Sequence, residues 1–224
     1  MGKVYERASE ILEEIDKKCS TAHSEIPLVM AVTKNQPVES IEEARRAGFK
    51  LFGENRIQEY LTKKEYFDRN NLEVHLIGHL QSNKTKHAVD SFSMIQSIDS
   101  VSIASSIDRY AENHDMTVDV LIEVNIGRET NKYGFLKEDI YEALEEIGKY
   151  RHISVKGLMT IPPLVDISAT RSFFREMKSL YIDINDKKID NISMKILSMG
   201  MSSDYMVAIE EGSSMVRIGS AIFT

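Results

Sequence analysis

Leu28-Val-Met-Ala-Val-Thr-Lys-Asn-Gln-Pro37 is the stretch on which the fold turns. It opens as a short apolar run, the pattern of a strand covered on both faces. The turn after it, Thr33-Lys34-Asn35-Gln36-Pro37, contains no glycine. A doubly wound open sheet would carry a glycine-rich turn at this point, so that rival is disfavoured. Upstream, Val4, Ala8, Ile11, Leu12, Ile15 and Cys19 fall at three- and four-residue steps, which predicts an amphipathic helix over residues 3–20.

Downstream the same alternation of strand and helix continues to the end of the chain. Further strands are expected at 51–53, 74–77, 93–97, 118–124, 155–159, 192–197 and 214–218. Helical periodicity fills the gaps: 38–47, 56–67, 84–89, 101–113, 137–150, 169–184 and 204–211. Parallel neighbours need crossover connections, and eight strands close a barrel that side chains can fill. The expected fold class is therefore α/β, a single (β/α)8 TIM barrel with an extra N-terminal helix. No helix is expected after the eighth strand, and the N-terminal helix is assigned to cover that gap. No linker interrupts the alternation, so residues 1–224 are read as one domain.

Composition excludes several classes. The chain has 224 residues, 42% hydrophobic and 28% charged, with Gly 11, Pro 4 and Cys 1. Low glycine and proline rule out collagen-like and linker-dominated chains, and one cysteine cannot form a disulfide framework or a multi-thiolate zinc site. The apolar run Ile26–Val32 is far short of the roughly 20 residues that span a bilayer. The N-terminus MGKVYERASEILEEIDKK is charged throughout, unlike a signal peptide, so a cytoplasmic protein is expected, with no membrane partner. A net charge of −7 argues against nucleic-acid binding, and the clusters Arg45-Arg46 and Lys84-Thr-Lys86-His87 read as solvated helix faces. No strongly apolar surface helix calls for a partner subunit, and a monomer is expected.

Strand alternation points to the chemistry. In 118–125, Val118, Val120, Ile122 and Val124 share the face expected to meet helices, leaving Asp119, Leu121, Glu123 and Asn125 inside. By the same rule Lys34 follows the inward set Leu28, Met30 and Val32, and Arg217 points inward with Met215. Interior charges of this kind are costly unless paired or liganded, and a structural ion-pair network is the alternative to a site. Lys34 ends the first strand, at the face where barrel active sites lie. Phosphate sites often follow strands seven and eight, where Ser198-Met-Gly-Met-Ser-Ser-Asp204 and Gly219-Ser220 stand. Ser203 as a plain helix cap is the alternative there. A lysine, a phosphate cradle and an inward arginine at one barrel mouth suit pyridoxal 5'-phosphate (PLP), which offers both an aldehyde and a phosphate. His75 and His79 stand about 13 Å apart along a strand, too far for one metal, and no metal is expected.

At these residues the chain resembles the YggS/PROSC family of PLP-binding proteins, the pyridoxal phosphate homeostasis proteins. The resemblance runs through Ala31-Val-Thr-Lys34, Phe52-Gly-Glu-Asn55, His75-Leu-Ile-Gly-His-Leu-Gln-Ser-Asn-Lys84, Lys156-Gly-Leu-Met-Thr-Ile-Pro-Pro163, Leu197-Ser-Met-Gly-Met-Ser-Ser-Asp204, Glu210-Glu-Gly212 and Val216-Arg-Ile-Gly219. It implies a fold-type III PLP barrel like that of alanine racemase. It further implies that Lys34 forms the Schiff base and that Arg217 faces the pyridine nitrogen. Ser202, Ser203, Gly219 and Ser220 are implied to hold the phosphate, Asn55 to lie beside the cofactor and Met199 to pack near the ring. Ser220 and Thr33 depart from the usual threonine and serine but keep a hydroxyl. Tyr133 in Asn131-Lys-Tyr-Gly134 is atypical.

Two functions follow. One is a protein of vitamin B6 and amino-acid homeostasis that holds PLP on Lys34 without turnover, with apo-enzymes as possible recipients and no catalytic residues. The other is an amino-acid racemase or decarboxylase of the alanine racemase type. Racemisation needs two acid/base groups, and the resemblance places the second on an added domain for which 224 residues leave no room. An arginine at the ring nitrogen also weakens the electron sink. The holding function is the expectation.

Overall fold

The computed structural model describes residues 2–224. Eight parallel strands form a closed barrel in chain order: β1 (Leu28–Val32), β2 (Leu51–Glu54), β3 (Glu73–Leu76), β4 (Met94–Ile98), β5 (Val118–Glu123), β6 (Ile153–Met159), β7 (Ile192–Ser198) and β8 (Met215–Ile218). Closure comes from β8 against β1, with Val29 opposite Val216, Met30 opposite Arg217 and Ala31 opposite Ile218. The helices that return the chain between strands are α2 (Val38–Ala47), α3 (Ile57–Arg69), α4 (Thr85–Val89), α5 (Val101–Glu112), α6 (Ile140–Ile147), α7 (Ile167–Lys187) and α8 (Tyr205–Glu210). The expected (β/α)8 barrel is the observed one.

The gap after β8 is closed by two elements rather than one. A single turn, α9 (Ser220–Phe223), follows β8, and α1 (Lys3–Ala22) packs beside it. α1 is tied to both neighbours in the helical ring: Tyr205 donates its hydroxyl to Glu14 at 2.7 Å, Lys18 pairs with Glu210, and the Tyr5 amide donates to Glu43 of α2 at 3.1 Å. The N-terminal helix thus does what was expected of it, and the expectation of no helix after β8 is corrected to one turn. Cys19 lies fully buried on the apolar face of α1.

Alternation along the strands separates two cores. Ala31, Phe52, Val74, Leu76, Val120, Ile122, Val216 and Ile218 face outward and pack with the helices in one large apolar layer. Inside, Met30, Val32, Leu51, Ile77 and Met215 fill one side of the barrel, and Met94, Leu121 and Met159 the other. The barrel interior is packed, so a ligand must sit on its rim. Among the described residues no helix is long and apolar enough to cross a membrane.

Gly157 shows how tightly β6 and β7 are fitted. The register shifts there, φ is +152°, and a Cβ would lie 1.8 Å from the Ile196 carbonyl oxygen. Gly157→Ala is expected to cost about 2 kcal/mol or more, since the obstacle is backbone and cannot rotate away. Urea unfolding of the variant against the wild type measures it.

Candidate functional site

A cavity of about 310 Å³ opens at the carboxyl ends of the strands, within the range of about 300–1,000 Å³ usual for small-molecule sites. Lys34, Asn55, Ser202, Ser203, Arg217, Gly219 and Ser220 all line it. These residues are far apart in sequence and meet because β7, β8, β1 and β2 are neighbours in the closed barrel. Lys34 is the first residue but one after β1, with an exposed side chain. Met199 does not reach the cavity. Alternation turns Ser198 inward and Met199 outward, where it is fully buried in the layer between sheet and helices. Met201, two residues on, lines the cavity in its place.

At the β7–β8 corner, Gly200 takes φ +94° and a Cβ would meet Ala208 at 2.5 Å, so the loop can turn only with glycine. The Ser202 hydroxyl accepts hydrogen bonds from the amides of Gly219 and Ala221, each at 3.1 Å. Two backbone N–H groups therefore converge on one oxygen at the cavity wall, and an anion oxygen would meet the same donors. Ser203 is not the helix cap: α8 begins after Asp204, whose carboxylate accepts from the Met201 amide at 2.6 Å. Burial pushes the Asp204 carboxyl up, with the Met201 amide and Arg217 pulling it back.

Arg217 forms the inner wall and is 3% exposed. It donates to the Ser198 hydroxyl at 2.7 Å and to the Thr160 carbonyl at 2.8 Å. Burial lowers its pKa to about 10, opposed by Glu123 and Asp204, so it stays charged at neutral pH. A polar chain continues down the barrel from Ser198. The Ser198 hydroxyl donates to Gln96 Oε1 at 2.8 Å, Gln96 Nε2 lies 2.8 Å from His75 Nδ1, and His75 Nε2 lies 2.8 Å from Glu73. With Gln96 donating, His75 carries its proton on Nε2, toward Glu73. The histidine hydrogen bond holds the Glu73 carboxyl below its ordinary value. His75 is thus an interior link, while His79 sits on the rim, 2.8 Å from Asp99 and stacked on Tyr133.

The backbone on both sides of Lys34 is anchored from behind by residues that the sequence reading passed over. The buried ammonium of Lys63 on α3 donates to the Thr33 carbonyl at 2.8 Å, to Glu54 at 2.9 Å and to Glu59 at 2.7 Å. The Thr33 hydroxyl donates to the same Glu54 oxygen at 2.7 Å, and the Asn35 amide donates to Glu59. One cation therefore organises the peptide groups before and after Lys34. Burial pushes the Glu54 carboxyl up, with Thr33 and Lys63 pulling it back. The signal was a glutamate on the helix-facing side of a strand, next to a Glu-Lys pair at i,i+4.

No ion pair joins Lys34, Glu123 and Arg217 among the described residues, so the alternative of an interior salt-bridge network is not what the structure holds. Glu123 is buried, and its pKa is raised from the ordinary 4.5 to about 7 by burial first and by Asp99 second, with Arg217 opposing. An exposed amine at one end of the cavity, convergent N–H donors at the other and a charged arginine between them form a donor set that fits PLP. Lys34 would take the aldehyde, Ser202, Ser203, Gly219 and Ser220 the phosphate, and Arg217 the ring.

The chain is similar to known proteins over most of its length. The family model for the alanine racemase N-terminal domain matches residues 11–224. The pyridoxal phosphate homeostasis protein of Aquifex aeolicus is 39% identical over 221 residues, covering 97% of this chain and 96% of that protein. The protein of that name from Schizosaccharomyces pombe is 35% identical over 201 residues, covering 88% and 83%. PipY of Synechococcus elongatus, solved with PLP bound, is 31% identical with a TM-score of 0.82, covering 94% of this chain and 100% of that one. Alanine racemase of Clostridium difficile shares the fold at 14% identity and a TM-score of 0.72, over 92% of this chain and 57% of the racemase.

Two outcomes are expected. Lys63→Met strands a buried carboxylate and should cost about 3 kcal/mol, with faster amide exchange concentrated at residues 33–35. For Glu123, a carboxyl raised in the folded state is bound more tightly to its proton there than in the unfolded chain. Stability then declines as pH rises from the unfolded value through the folded one, by about 3 kcal/mol in all. Glu123→Gln should remove most of that decline, so denaturant midpoints of variant and wild type should diverge between about pH 5 and pH 8, the variant gaining.

Proposed function

This chain belongs to the family of pyridoxal phosphate homeostasis proteins, and we propose that it holds PLP covalently and reversibly on Lys34 without turning over a substrate. The observation that carries the reading is the single cavity that unites Lys34 with Ser202, Ser203, Gly219 and Ser220 across the β7–β8–β1 closure. When bound, the cofactor supplies an aldehyde for an amine and a phosphate for hydrogen-bond donors.

The residues of this chain divide the work. Lys34 supplies the amine, held in place by the Lys63 anchor on its flanking peptides. The Gly219 and Ala221 amides, with the hydroxyls of Ser202, Ser203 and Ser220, bind the phosphate. Arg217, fixed by Ser198 and the Thr160 carbonyl, presents only donors to the ring. A guanidinium keeps its own protons at neutral pH and has no acceptor for a pyridinium N–H, so it favours the unprotonated ring nitrogen. The cofactor is therefore kept as a weak electron sink, which supports holding over racemisation or decarboxylation. Residues 1–224 act as one domain on this reading. One chain supplies the whole rim, which agrees with a monomer, and a cytoplasmic location with apo-enzymes as recipients belongs to the same proposal.

Borohydride treatment of the loaded protein is expected to fix the cofactor's mass on the peptide containing Lys34, and Lys34→Ala to lose that adduct. An adduct of equal yield in the variant would overturn the assignment. Incubation of the loaded chain with L-alanine, L-serine and L-lysine should leave their chirality and carboxyl groups intact. Sustained racemisation or carbon dioxide release would replace the holding function with an enzymatic one.

A further inference from the structure

A second cavity, of about 530 Å³, adjoins the first on the side of Lys34 away from the phosphate loops. It lies between the segments that follow β2 and β3, and Asn55 lines both cavities. Gly78 allows the two segments to meet, since a Cβ there would stand 2.2 Å from the Asn55 carbonyl oxygen. The polar lining consists of Arg56, Gln58, His79, Gln81, Lys84 and Tyr133 together with Asn55, and no aspartate or glutamate lines it. In a chain of net charge −7 that is an unusual concentration of donors. Among the described residues neither Arg56 nor Lys84 takes part in an ion pair, whereas twelve of the other 26 lysines and arginines do.

His79 is the one lining group that is already fixed. Its Nδ1 lies 2.8 Å from Asp99, and its ring stacks on Tyr133 at 3.6 Å between centroids and 9° between planes. With the carboxylate accepting at Nδ1, the imidazole ring is held in place as part of the cavity wall. The loop bearing Tyr133 is itself anchored: Asn125 Nδ2 donates to the Glu129 carbonyl at 2.8 Å, and Lys132 to the Pro162 carbonyl at 3.1 Å. The His79–Tyr133 side of the cavity wall is therefore built from anchored groups.

The order of elements around the rim identifies the ligand. Phosphate loops follow β7 and β8, Lys34 follows β1, Asn55 follows β2, and the basic cavity lies between β2 and β3. The cavity thus meets the one that holds Lys34 at Asn55, on the side of the rim away from the donors already assigned to phosphate. A group that exchanges with a lysine-held aldehyde must bring an amine, and an adjoining basic pocket calls for an amine that also carries a negative charge. Arg56 can grip a carboxylate through two parallel N–H bonds, while Lys84 adds a point charge. Resting on the reading of Lys34 as the cofactor lysine, we propose that this cavity is a subsite for the carboxylate of an α-amino acid.

The test uses the full-length protein freed of cofactor and titrated with N-acetyl-L-alanine, whose blocked amine cannot react with an aldehyde. Amide resonances of Gly78, His79 and Gln81 should shift saturably. Arg56→Gln and Lys84→Gln should each weaken binding about tenfold, equivalent to about 1.4 kcal/mol, whereas Lys34→Ala should leave it unchanged. N-acetyl-L-alanine methylamide, which lacks the carboxylate, should produce no saturable shift. Unsaturable shifts, or equal affinity in wild type and both charge variants, would overturn the subsite. So would tighter binding of inorganic phosphate at the same amides, which would make it a phosphate site, or equal binding of acetate, which would remove the amino-acid class.

Borohydride fixation of PLP on Lys34 in each charge variant shows that the barrel is intact. It also separates the two readings. Normal fixation with no N-acetyl-L-alanine binding sinks the subsite alone. Binding without fixation in the wild type sinks the assignment of Lys34 and leaves a carboxylate site standing.

Discussion

The pairing of β8 with β1 is the constraint on which the rest of this molecule depends. It sets Met30 beside Arg217 and Ala31 beside Ile218, and so brings the lysine after β1 to the same rim as the serines and glycine after β7 and β8. Without closure these residues would lie at opposite edges of an open sheet. The pairing in turn needs an outer cover, because the turn after β8 is too short to shield it. α1 provides that cover, and the bonds from Glu14, Lys18 and Tyr5 to α8 and α2 hold it there.

Closure also creates a cost, since it encloses Arg217, Gln96, His75 and Ser198 in a packed interior. The solution is a continuous hydrogen-bonded chain rather than ion pairs. Arg217 binds a hydroxyl and a carbonyl, and the hydroxyl passes the sequence on to Gln96, His75 and Glu73 at the far end. The Ser198 and Gln96 links carry no charge, so Arg217 is satisfied by hydrogen bonds rather than by an ion pair. The arrangement fixes the plane of the guanidinium at the floor of the cavity. Lys63 performs the comparable task outside the barrel, where three acceptors satisfy its three protons.

Much of this was legible in the sequence, for identifiable reasons. A two-residue period placed Arg217 and Met215 inside and Val216 and Ile218 outside, and eight such periods separated by helical ones left few folds to consider. Strand ends then located Lys34, Ser202, Ser203, Gly219 and Ser220, because the fold puts all such ends on one rim. Met199 was misplaced by carrying over a family position against the alternation that puts its neighbour Ser198 inside. Lys63 was invisible because a lysine on a helix ordinarily faces water, and only the buried partner Glu54 reveals otherwise. The one-turn helix after β8 was too short to show a period. The stacking of Tyr133 on His79 joins residues 54 positions apart through a loop with no periodic signal.

The net charge of −7 appears at first to oppose an anionic ligand, yet it does not decide the matter. Surface charges separated from the cavity by more than about 10 Å are largely screened at ordinary ionic strength. What a ligand meets is local: the Arg217 charge in a low-dielectric wall, two backbone amides converging on one point, and the exposed amine of Lys34. Part of the acidic charge that produces the overall sign is paired on the outer helices, as in the Arg171, Arg175, Glu210 and Glu211 cluster between α7 and α8. Glu123, a buried acid that interacts with Arg217, is pushed toward its neutral form and so subtracts less from the field of the site near neutral pH than an ordinary carboxylate would. Burial favours the neutral form of both interior groups, yet the arginine, lowered only to about 10, stays charged while the glutamate, raised to about 7, is partly discharged. A positive site in a negative protein follows from where each charge is desolvated, not from the sum.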